Sequence, residues 1–142
     1  MPPFGYRTYA VLPSPQEVFN PCTIKPGTMA TPAFEITLEE GTGDISQIRS
    51  KSYGWELLTG RGNQIQDLED LGDSEGRLDL TGRTRTLGPF ITMDVIEQGP
   101  VRIGLRVRNK LLGEHTTFVR EIFLTNGLPW VDCRTYIEWN GE

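Results

Sequence analysis

The sequence predicts an all-β fold, an antiparallel β-sandwich, and three observations lead to that prediction. Sixteen glycines and ten prolines are spread over 142 residues, so few stretches longer than about ten residues lack a residue that breaks regular structure. Between these breaks apolar and polar residues alternate with period two, the pattern of strands with one buried face. Short turns join the four clearest of these segments, which predicts an antiparallel meander.

The first thirty residues are predicted to contain one short strand and a proline-rich connection. Residues 6–12 have the composition of a strand, and several prolines follow within the next fifteen residues. Because proline has no backbone N–H to donate to a strand ladder, residues 13–27 are predicted to be an extended linker. We therefore divide the chain into an N-terminal strand with its linker, residues 1–30, and a β-sandwich, residues 31–142.

A hairpin is predicted at the start of the sandwich. Phe34, Ile36 and Leu38 alternate with polar residues, as in a strand that is buried on one face. Glycines at positions 41 and 43 supply a tight turn, and residues 45–50 return as the partner strand. Shorter strand candidates follow at residues 55–58 and 63–68.

Residues 69–88 form the longest segment without clear periodicity, and we predict a loop there. The first part, residues 69–79, is acidic, and the second is rich in Arg, Thr and Gly. We interpret the acidic run as a solvated loop, with binding of a cation or contact with a partner domain as the alternatives. Its spacing differs from the alternating Asp/Asn pattern of a calcium-binding loop.

The second half carries the strongest strand signals. Four alternating segments are joined by short turns, at residues 91–95, 101–108, 116–124 and 131–139. Three arginines, at positions 102, 106 and 108, occupy alternating sites and are predicted to cover a solvated sheet face. Cys133 occupies the apolar side of the last segment and is predicted to be a small core residue. Trp130, directly after a proline, is predicted to be a packing anchor.

Composition and charge narrow the range of functions. Nineteen acidic and fourteen basic side chains give a formal net charge of −5, which offers no general attraction for a nucleic-acid backbone. No apolar run approaches the roughly 18 residues of a membrane helix, and the start lacks the apolar core of a secretory signal. Without such a signal, Cys22 and Cys133 are predicted to be free thiols. We expect a soluble, cytoplasmic protein.

The candidate site residues are aromatic. Sugars are commonly held by an aromatic face that packs against the C–H groups of the ring, with polar side chains around it. Tyr53 with Trp55, and Tyr136 with Trp139, are the candidate carbohydrate contacts, and packing in the core is the alternative for each. Metal sites usually need several His, Cys, Asp or Glu ligands at short spacings, and catalytic triads need a histidine base. The single histidine, His115, has no cysteine near it and is interpreted as an exposed turn residue.

Six segments together resemble a known family. In our sequence they read PPFGYRTY, DISQI with WELL, GNQIQDLED, VIEQGPVR, TFVREIFLTNGLPWVD and TYIEWNGE, at residues 2–9, 44–58, 62–70, 95–102, 117–132 and 135–142. Their order and spacing resemble the β-sandwich region that follows the catalytic barrel of family 38 α-mannosidases. The resemblance covers nearly the whole chain. It departs from the family at Asn140, where the family usually has histidine.

The resemblance implies a zinc-dependent barrel with an Asp nucleophile, lying N-terminal to the residues present here. It also implies that this chain is the first part of a larger sandwich of the galactose-mutarotase type. The family's zinc site uses two histidines and two aspartates, which one histidine cannot supply, so we transfer no catalytic residue and expect no cofactor in this chain. The implied partners are the catalytic barrel and a mannose-containing saccharide.

The expected function is therefore a noncatalytic segment of an enzyme that hydrolyses α-mannosidic bonds. An autonomous carbohydrate-binding module and a structural domain for self-association are the alternatives. The last strand is relevant to self-association. Residues 131–139 end close to Glu142, and the sandwich is expected to be incomplete there. Val131, Cys133, Ile137 and Trp139 would leave an apolar face uncovered, which predicts a homo-oligomer unless the loop at residues 69–88 folds over it.

Overall fold

The computed structural model describes residues 8, 10, 19–73, 75–85, 87–111 and 116–139. Within these ranges the chain forms eleven β-strands, all paired antiparallel, and no helix that could cross a membrane. The predicted all-β class is confirmed. The strands are β1 (Thr23–Lys25), β2 (Thr28–Ala30), β3 (Phe34–Leu38), β4 (Ile45–Ser50), β5 (Trp55–Glu56), β6 (Asp67–Asp70), β7 (Leu80–Arg85), β8 (Leu87–Gln98), β9 (Arg102–Leu111), β10 (Thr117–Thr125) and β11 (Val131–Glu138).

Two main sheets and one small sheet contain these strands. The first has five strands in the order β1-β2-β3-β4-β5, the second has four in the order β11-β10-β9-β8, and β6 pairs with β7. Each main sheet joins strands that are neighbours in the chain, so the predicted four-stranded meander is confirmed. The predicted hairpin is confirmed too, because Phe34 lies opposite Ser50 and Ile36 lies opposite Ile48.

The hydrophobic core lies between the two main sheets, so the fold is a β-sandwich. Apolar side chains at alternating positions of each sheet meet there, as the period-two pattern requires. The five-stranded side contributes Met29, Phe34, Ile36, Leu38 and Ile45, and the four-stranded side contributes Ile103, Leu105, Val107, Ile122 and Leu124. The arginines at positions 102, 106 and 108 alternate with the core residues of β9, so they lie on the face that points away from the five-stranded sheet, as predicted.

The structure differs from the predicted linker. Residues 23–25 and 28–30 form the β1–β2 hairpin, which joins the five-stranded sheet through β3. Gly27 occupies the turn with φ 79°, a conformation that glycine adopts without steric cost. Met29 and Cys22 are both buried, and this burial explains why residues near the prolines are structured. The predicted strand at residues 6–12 lies outside the described residues except for Thr8 and Ala10, and so does His115.

The predicted loop at residues 69–88 is wrong in large part. β6 and β7 pair with each other across this segment, and β8 begins within it, at Leu87. The pairing is irregular, with a register shift between Leu68 and Asp70. Such a shift disrupts the alternation of side chains, and the described side chains of β7 are exposed. A short exposed ribbon therefore gives no clean apolar–polar pattern in the sequence.

The prediction that Cys133 lies in the core is also wrong, because its side chain is exposed. It lies opposite the fully buried Ile122 in the neighbouring strand β10. Among the residues of β11, only Val131 packs against the main core. The five-stranded sheet thus covers β10 but stops short of β11, and alternation along one strand carries no information about that limit.

The two outer strands of the four-stranded sheet differ in regularity. β10 and β11 pair over eight consecutive residues without a register shift, from Thr117 opposite Glu138 to Leu124 opposite Val131. β8, by contrast, pairs with β9 through three register shifts, which fall between Leu87 and Gln98. Bulges of this kind bend a strand and increase its twist. The sheet therefore has one straight and one irregular edge.

Candidate functional site

Tyr53 and Trp55 form an exposed aromatic pair at the end of the β4–β5 connection. Residues 51–54 make a turn in which Gly54 has φ 70° and donates its N–H to the carbonyl oxygen of Ser50 at 2.8 Å. The two rings stack with centroids 5.0 Å apart and planes inclined by 26°. Tyr53 is 70% exposed and Trp55 is 62% exposed. The pair therefore presents an aromatic surface to solvent.

Glu56 fixes the short strand that carries Trp55. Its carboxylate accepts hydrogen bonds from the side-chain amide of Gln47 at 2.7 Å and from the backbone N–H of Ile48 at 3.0 Å. The backbone N–H of Leu57 donates to the carbonyl of Ile48 at 2.8 Å. These three bonds hold β5 against β4 and so fix the backbone that carries the indole ring. An aromatic surface held in this way loses little conformational entropy when a ligand packs against it.

A shallow cleft of about 220 Å³ lies beside Tyr53. One wall is the end of β4 with the following connection, which supply Ser50 and Ser52, and the other is the turn between β10 and β11. That second turn is anchored, because the backbone N–H of Asn126 donates to the carbonyl of Val101 at 2.8 Å. An aromatic ring next to hydroxyl groups suits a small ligand with both apolar and polar faces, such as a pyranose sugar.

The other two candidate aromatics lie elsewhere. Tyr136 is in β11 opposite Val119, and Trp139 directly follows that strand. Successive side chains of a strand point to opposite faces, so Tyr136 and its neighbour Ile137 face different sides of the sheet. Among the described residues the ring contact found is that between Tyr53 and Trp55. The structure thus brings together the first candidate pair, whereas Tyr136 and Trp139 form no such surface. Trp130, the predicted packing anchor, is half exposed.

The acidic run uses its carboxylates to close the connection between β6 and β7. Asp70 Oδ1 accepts hydrogen bonds from the backbone N–H groups of Gly72 at 2.9 Å and Asp79 at 2.8 Å. Asp73 Oδ1 accepts from the backbone N–H of Glu75 at 3.0 Å. In the part of the chain that the structure describes, no group of three or more His, Cys, Asp or Glu side chains is arranged to hold a metal ion. These contacts are those of a solvated polar turn.

A buried polar centre that the sequence analysis did not identify surrounds Arg120. This side chain has no exposed surface. Its Nη1 donates to Asp44 Oδ1 at 2.7 Å, and its Nη2 donates to Asn109 Oδ1 at 2.9 Å and to the carbonyl of Thr42 at 2.6 Å. The sequence did indicate that Arg120 is buried. It alternates with Phe118 and Ile122, and this spacing places all three side chains on the core side of β10. The centre fastens the β3–β4 connection to the opposite sheet.

The outer face of the four-stranded sheet carries paired charges. Arg102 donates two hydrogen bonds to Glu97 Oε2, at 2.8 and 2.6 Å, and these bonds lower the pKa of Glu97. Arg106 likewise donates two hydrogen bonds to Glu121 Oε1, from Nε at 2.9 Å and from Nη2 at 2.7 Å. The guanidinium of Arg102 also lies 4.8 Å from the centroid of the Phe123 ring. Arg102 and Arg106 are thus engaged with acidic and aromatic neighbours.

The two cysteines are free and differ in environment. Burial raises the pKa of the Cys22 thiol, whose sulfur lies 3.8 Å from the carbonyl oxygen of Pro100. Partial burial raises the pKa of Cys133 as well, and the neighbouring Asp132 carboxylate raises it further. Both thiols are thus shifted away from the thiolate form that acts as a nucleophile.

Comparisons of the chain with protein-family models and with curated proteins found no match.

Proposed function

We propose that this chain is a noncatalytic β-sandwich segment of an α-mannosidase-type glycoside hydrolase. In this proposal the sandwich packs on a zinc-dependent catalytic barrel in the cytoplasm and forms part of the wall of its sugar cleft. We assign no zinc ligand to the residues of this chain. The proposal is supported by the segments that resemble family 38 α-mannosidases and by a sandwich fold of the expected class.

The observation that carries the sugar-related part of the proposal is the stacked Tyr53–Trp55 pair. Two large rings are held in contact, more than half exposed, beside a cleft with serine hydroxyls. In the interior of a protein such rings would stabilise the fold by burial, whereas here most of their surface remains in water. A surface of this kind is suited to packing against the C–H face of a hexose.

The DNA sequence immediately upstream of the codon for Met1 tests the proposal directly. We expect an in-frame coding region for a barrel with paired His and Asp motifs that match a zinc site. An unrelated upstream gene, or a promoter and ribosome-binding site directly before Met1, would contradict the mannosidase assignment. This test does not depend on how tightly the separate chain binds sugar.

An autonomous carbohydrate-binding module is the second candidate, and the same aromatic pair favours it. Titration calorimetry with mannose oligomers separates the two. A wall segment that acts only together with a barrel is expected to give no saturable heat at millimolar sugar, where binding is worth roughly −4 kcal/mol. Saturation that is lost in Trp55→Ala but kept in the matched control Trp130→Ala, another half-exposed tryptophan, would favour the module.

A further inference from the structure

The outer edge of β11 has no strand partner among the described residues. Its inner edge pairs with β10 over eight residues without a register shift, and the order of the sheet ends at β11. A straight edge strand presents a row of N–H and C=O groups to any strand that approaches it. The backbone of β11 is thus arranged to accept another strand.

The side chains near this edge also remain uncovered on the core side of the sheet. Ile137 is 59% exposed although its neighbour across the sheet, Phe118, is 4% exposed. Trp139, which follows the strand, is 58% exposed. Large apolar side chains concentrated at one unpaired edge are typical of a surface that associates with another chain. A strand that binds this edge must therefore supply backbone hydrogen-bond partners for β11 and apolar side chains that cover Ile137 and Trp139.

The charges of β11 indicate which strand fits. Arg134 and Glu138 lie on the same face of the strand, four positions apart, with Tyr136 midway between them. Two copies of an antiparallel strand related by a two-fold axis at Tyr136 place each Arg134 opposite Glu138 of the second copy. Side chains that are directly opposite in such a pair have Cβ atoms about 4.5–5.5 Å apart, close enough for an ion pair. The order of charges along β11 is thus complementary to itself.

Three registers with the axis closer to the N-terminal end of β11 are less favourable. A two-fold axis at Thr135 places Asp132 opposite Glu138 of the second copy, and an axis at Arg134 places two arginines opposite each other, so like charges repel in both. An axis at Cys133 pairs Asp132 with Arg134 of the second copy, but it leaves Ile137 and Trp139 outside the overlap. The axis at Tyr136 alone among these four combines attraction between charges with cover for the apolar residues.

We propose that two copies of this chain associate through β11, as an antiparallel pair with its two-fold axis at Tyr136. The four-stranded sheets then form one continuous eight-stranded sheet. Two ion pairs form, each between Arg134 of one copy and Glu138 of the other. Cys133 of each copy lies opposite Trp139 of the other. A two-fold contact of this type is self-complementary and closes at two subunits. This inference rests on the backbone and the charges of β11 and goes beyond the proposed function.

Charge reversal tests the pairing and its register. Arg134→Glu and Glu138→Arg each place like charges opposite each other, and we expect each to weaken the homodimer at least tenfold in sedimentation equilibrium over a dilution series. An equimolar mixture of the two variants restores both ion pairs, so we expect it to form a heterodimer. Glu75→Arg, which reverses a charge in the exposed β6–β7 connection, is the matched control and is expected to leave association unchanged.

Other outcomes would overturn the proposal. A wild-type chain that stays monomeric at high concentration excludes the dimer, and if deletion of residues 1–18 then produced dimers, those residues would be the occupant of the edge. A dimer that Glu138→Arg leaves intact but Arg134→Glu breaks would place the axis at Cys133 instead. Urea unfolding of each variant at a concentration where the wild type is monomeric separates a loss of pairing from a loss of fold.

Discussion

Arg120 and Asp44 form a buried ion pair, with Nη1 2.7 Å from Oδ1, that joins the two sheets of the sandwich across 76 positions of the chain. Removing two charges from water costs several kcal/mol per ion, and hydrogen bonds must offset this cost. The carbonyls of Thr42 and Asn63 and the side chain of Asn109 supply further acceptors. The pair therefore favours one alignment of the β3–β4 connection over β10.

Asp44→Asn is expected to destabilise the protein by about 3–5 kcal/mol, because it leaves the guanidinium of Arg120 buried without its counter-charge. Urea unfolding at neutral pH measures the change. Glu35→Gln is the control, since it breaks the partly exposed pair with Lys51, whose charged atoms are 3.9 Å apart. Such pairs contribute about 0–1 kcal/mol. Equal effects of the two substitutions would show that the buried pair has no special role.

Gly43→Ala is expected to be more damaging than Gly27→Ala. Both glycines have positive φ, 71° and 79°, so both substitutions strain the backbone by about 1–2 kcal/mol. A Cβ at position 43 would lie 2.5 Å from Cγ1 of Val107, whereas nothing lies within 4 Å of one at position 27. Overpacking of this kind costs a further 1–3 kcal/mol or so. Thermal unfolding of the two variants side by side measures the difference, and equal melting temperatures would contradict it.

Alternation in the sequence predicted the strands with one buried face, and it failed where burial depends on the other sheet. The β3–β4 hairpin and the meander from β8 to β11 follow from period two, because each strand has a core side. Cys133 has the same pattern as Ile122, yet it lies beyond the edge of the five-stranded sheet. Alternation along one strand could not predict the polar centre at Arg120 either, because its partners Asp44 and Asn109 belong to other segments of the chain.

The two aromatic candidate pairs also differ in whether local sequence spacing could predict their arrangement. Tyr53 and Trp55 are two positions apart, so one turn and one short strand suffice to bring their rings together. Tyr136 and Trp139 are three positions apart at the end of a strand, where odd spacing separates side chains to opposite faces. The structure thus assembles the pair with even spacing, and no long-range contact was needed to anticipate it.

Arg102→Met is expected to raise the pKa of Glu97. The two hydrogen bonds from Arg102 favour the ionised carboxylate, so the pKa of Glu97 in the folded chain lies below its value in the unfolded chain. The resulting stabilisation is present above the unfolded pKa and is lost as pH falls through the folded pKa. The stability difference between wild type and Arg102→Met is therefore expected to shrink in acid.

Titration of the Glu97 side-chain carboxyl by carbon-13 NMR measures this shift. Arg108→Met is the matched control, because it removes an arginine from the same strand, β9, and Arg108 does not bond Glu97. An unchanged pKa of Glu97 in Arg102→Met, or an equal rise in Arg108→Met, would contradict the assignment of the shift to Arg102. Methionine retains much of the apolar stem beside Phe123, so the packing changes little.

Cys133 is expected to react with a thiol reagent in the folded chain, whereas Cys22 is expected to react only after unfolding. Exposure of Cys133 allows access, and burial of Cys22 blocks it. Labelling of the dilute native protein should therefore modify one thiol per chain, and the same reaction in urea should modify two. Cys133→Ser should abolish native labelling, while Cys22→Ser should preserve it. Rapid native labelling in Cys133→Ser would contradict this prediction.

The chain is expected to show no hydrolysis of aryl α-mannosides, with or without added zinc. The acidic residues at positions 70 and 73 bond backbone N–H groups of their own connection, and glycoside hydrolysis needs two carboxylates that face each other across a sugar. Release of the aryl group is measured against a blank prepared from cells that lack the gene. Turnover that co-purifies with the chain and exceeds this blank would contradict the expectation.

The three register shifts of β8 bear on how large an assembly can become. If both margins of the four-stranded sheet were straight, joined pairs could add further copies indefinitely and grow into fibrils. A bulged margin cannot continue the hydrogen-bond ladder of a new strand in regular register, and natural proteins use such irregular margins against aggregation. We therefore expect the irregularity of β8 to oppose the addition of further copies, so that an unpaired, partly apolar strand at the opposite edge need not lead to fibrils.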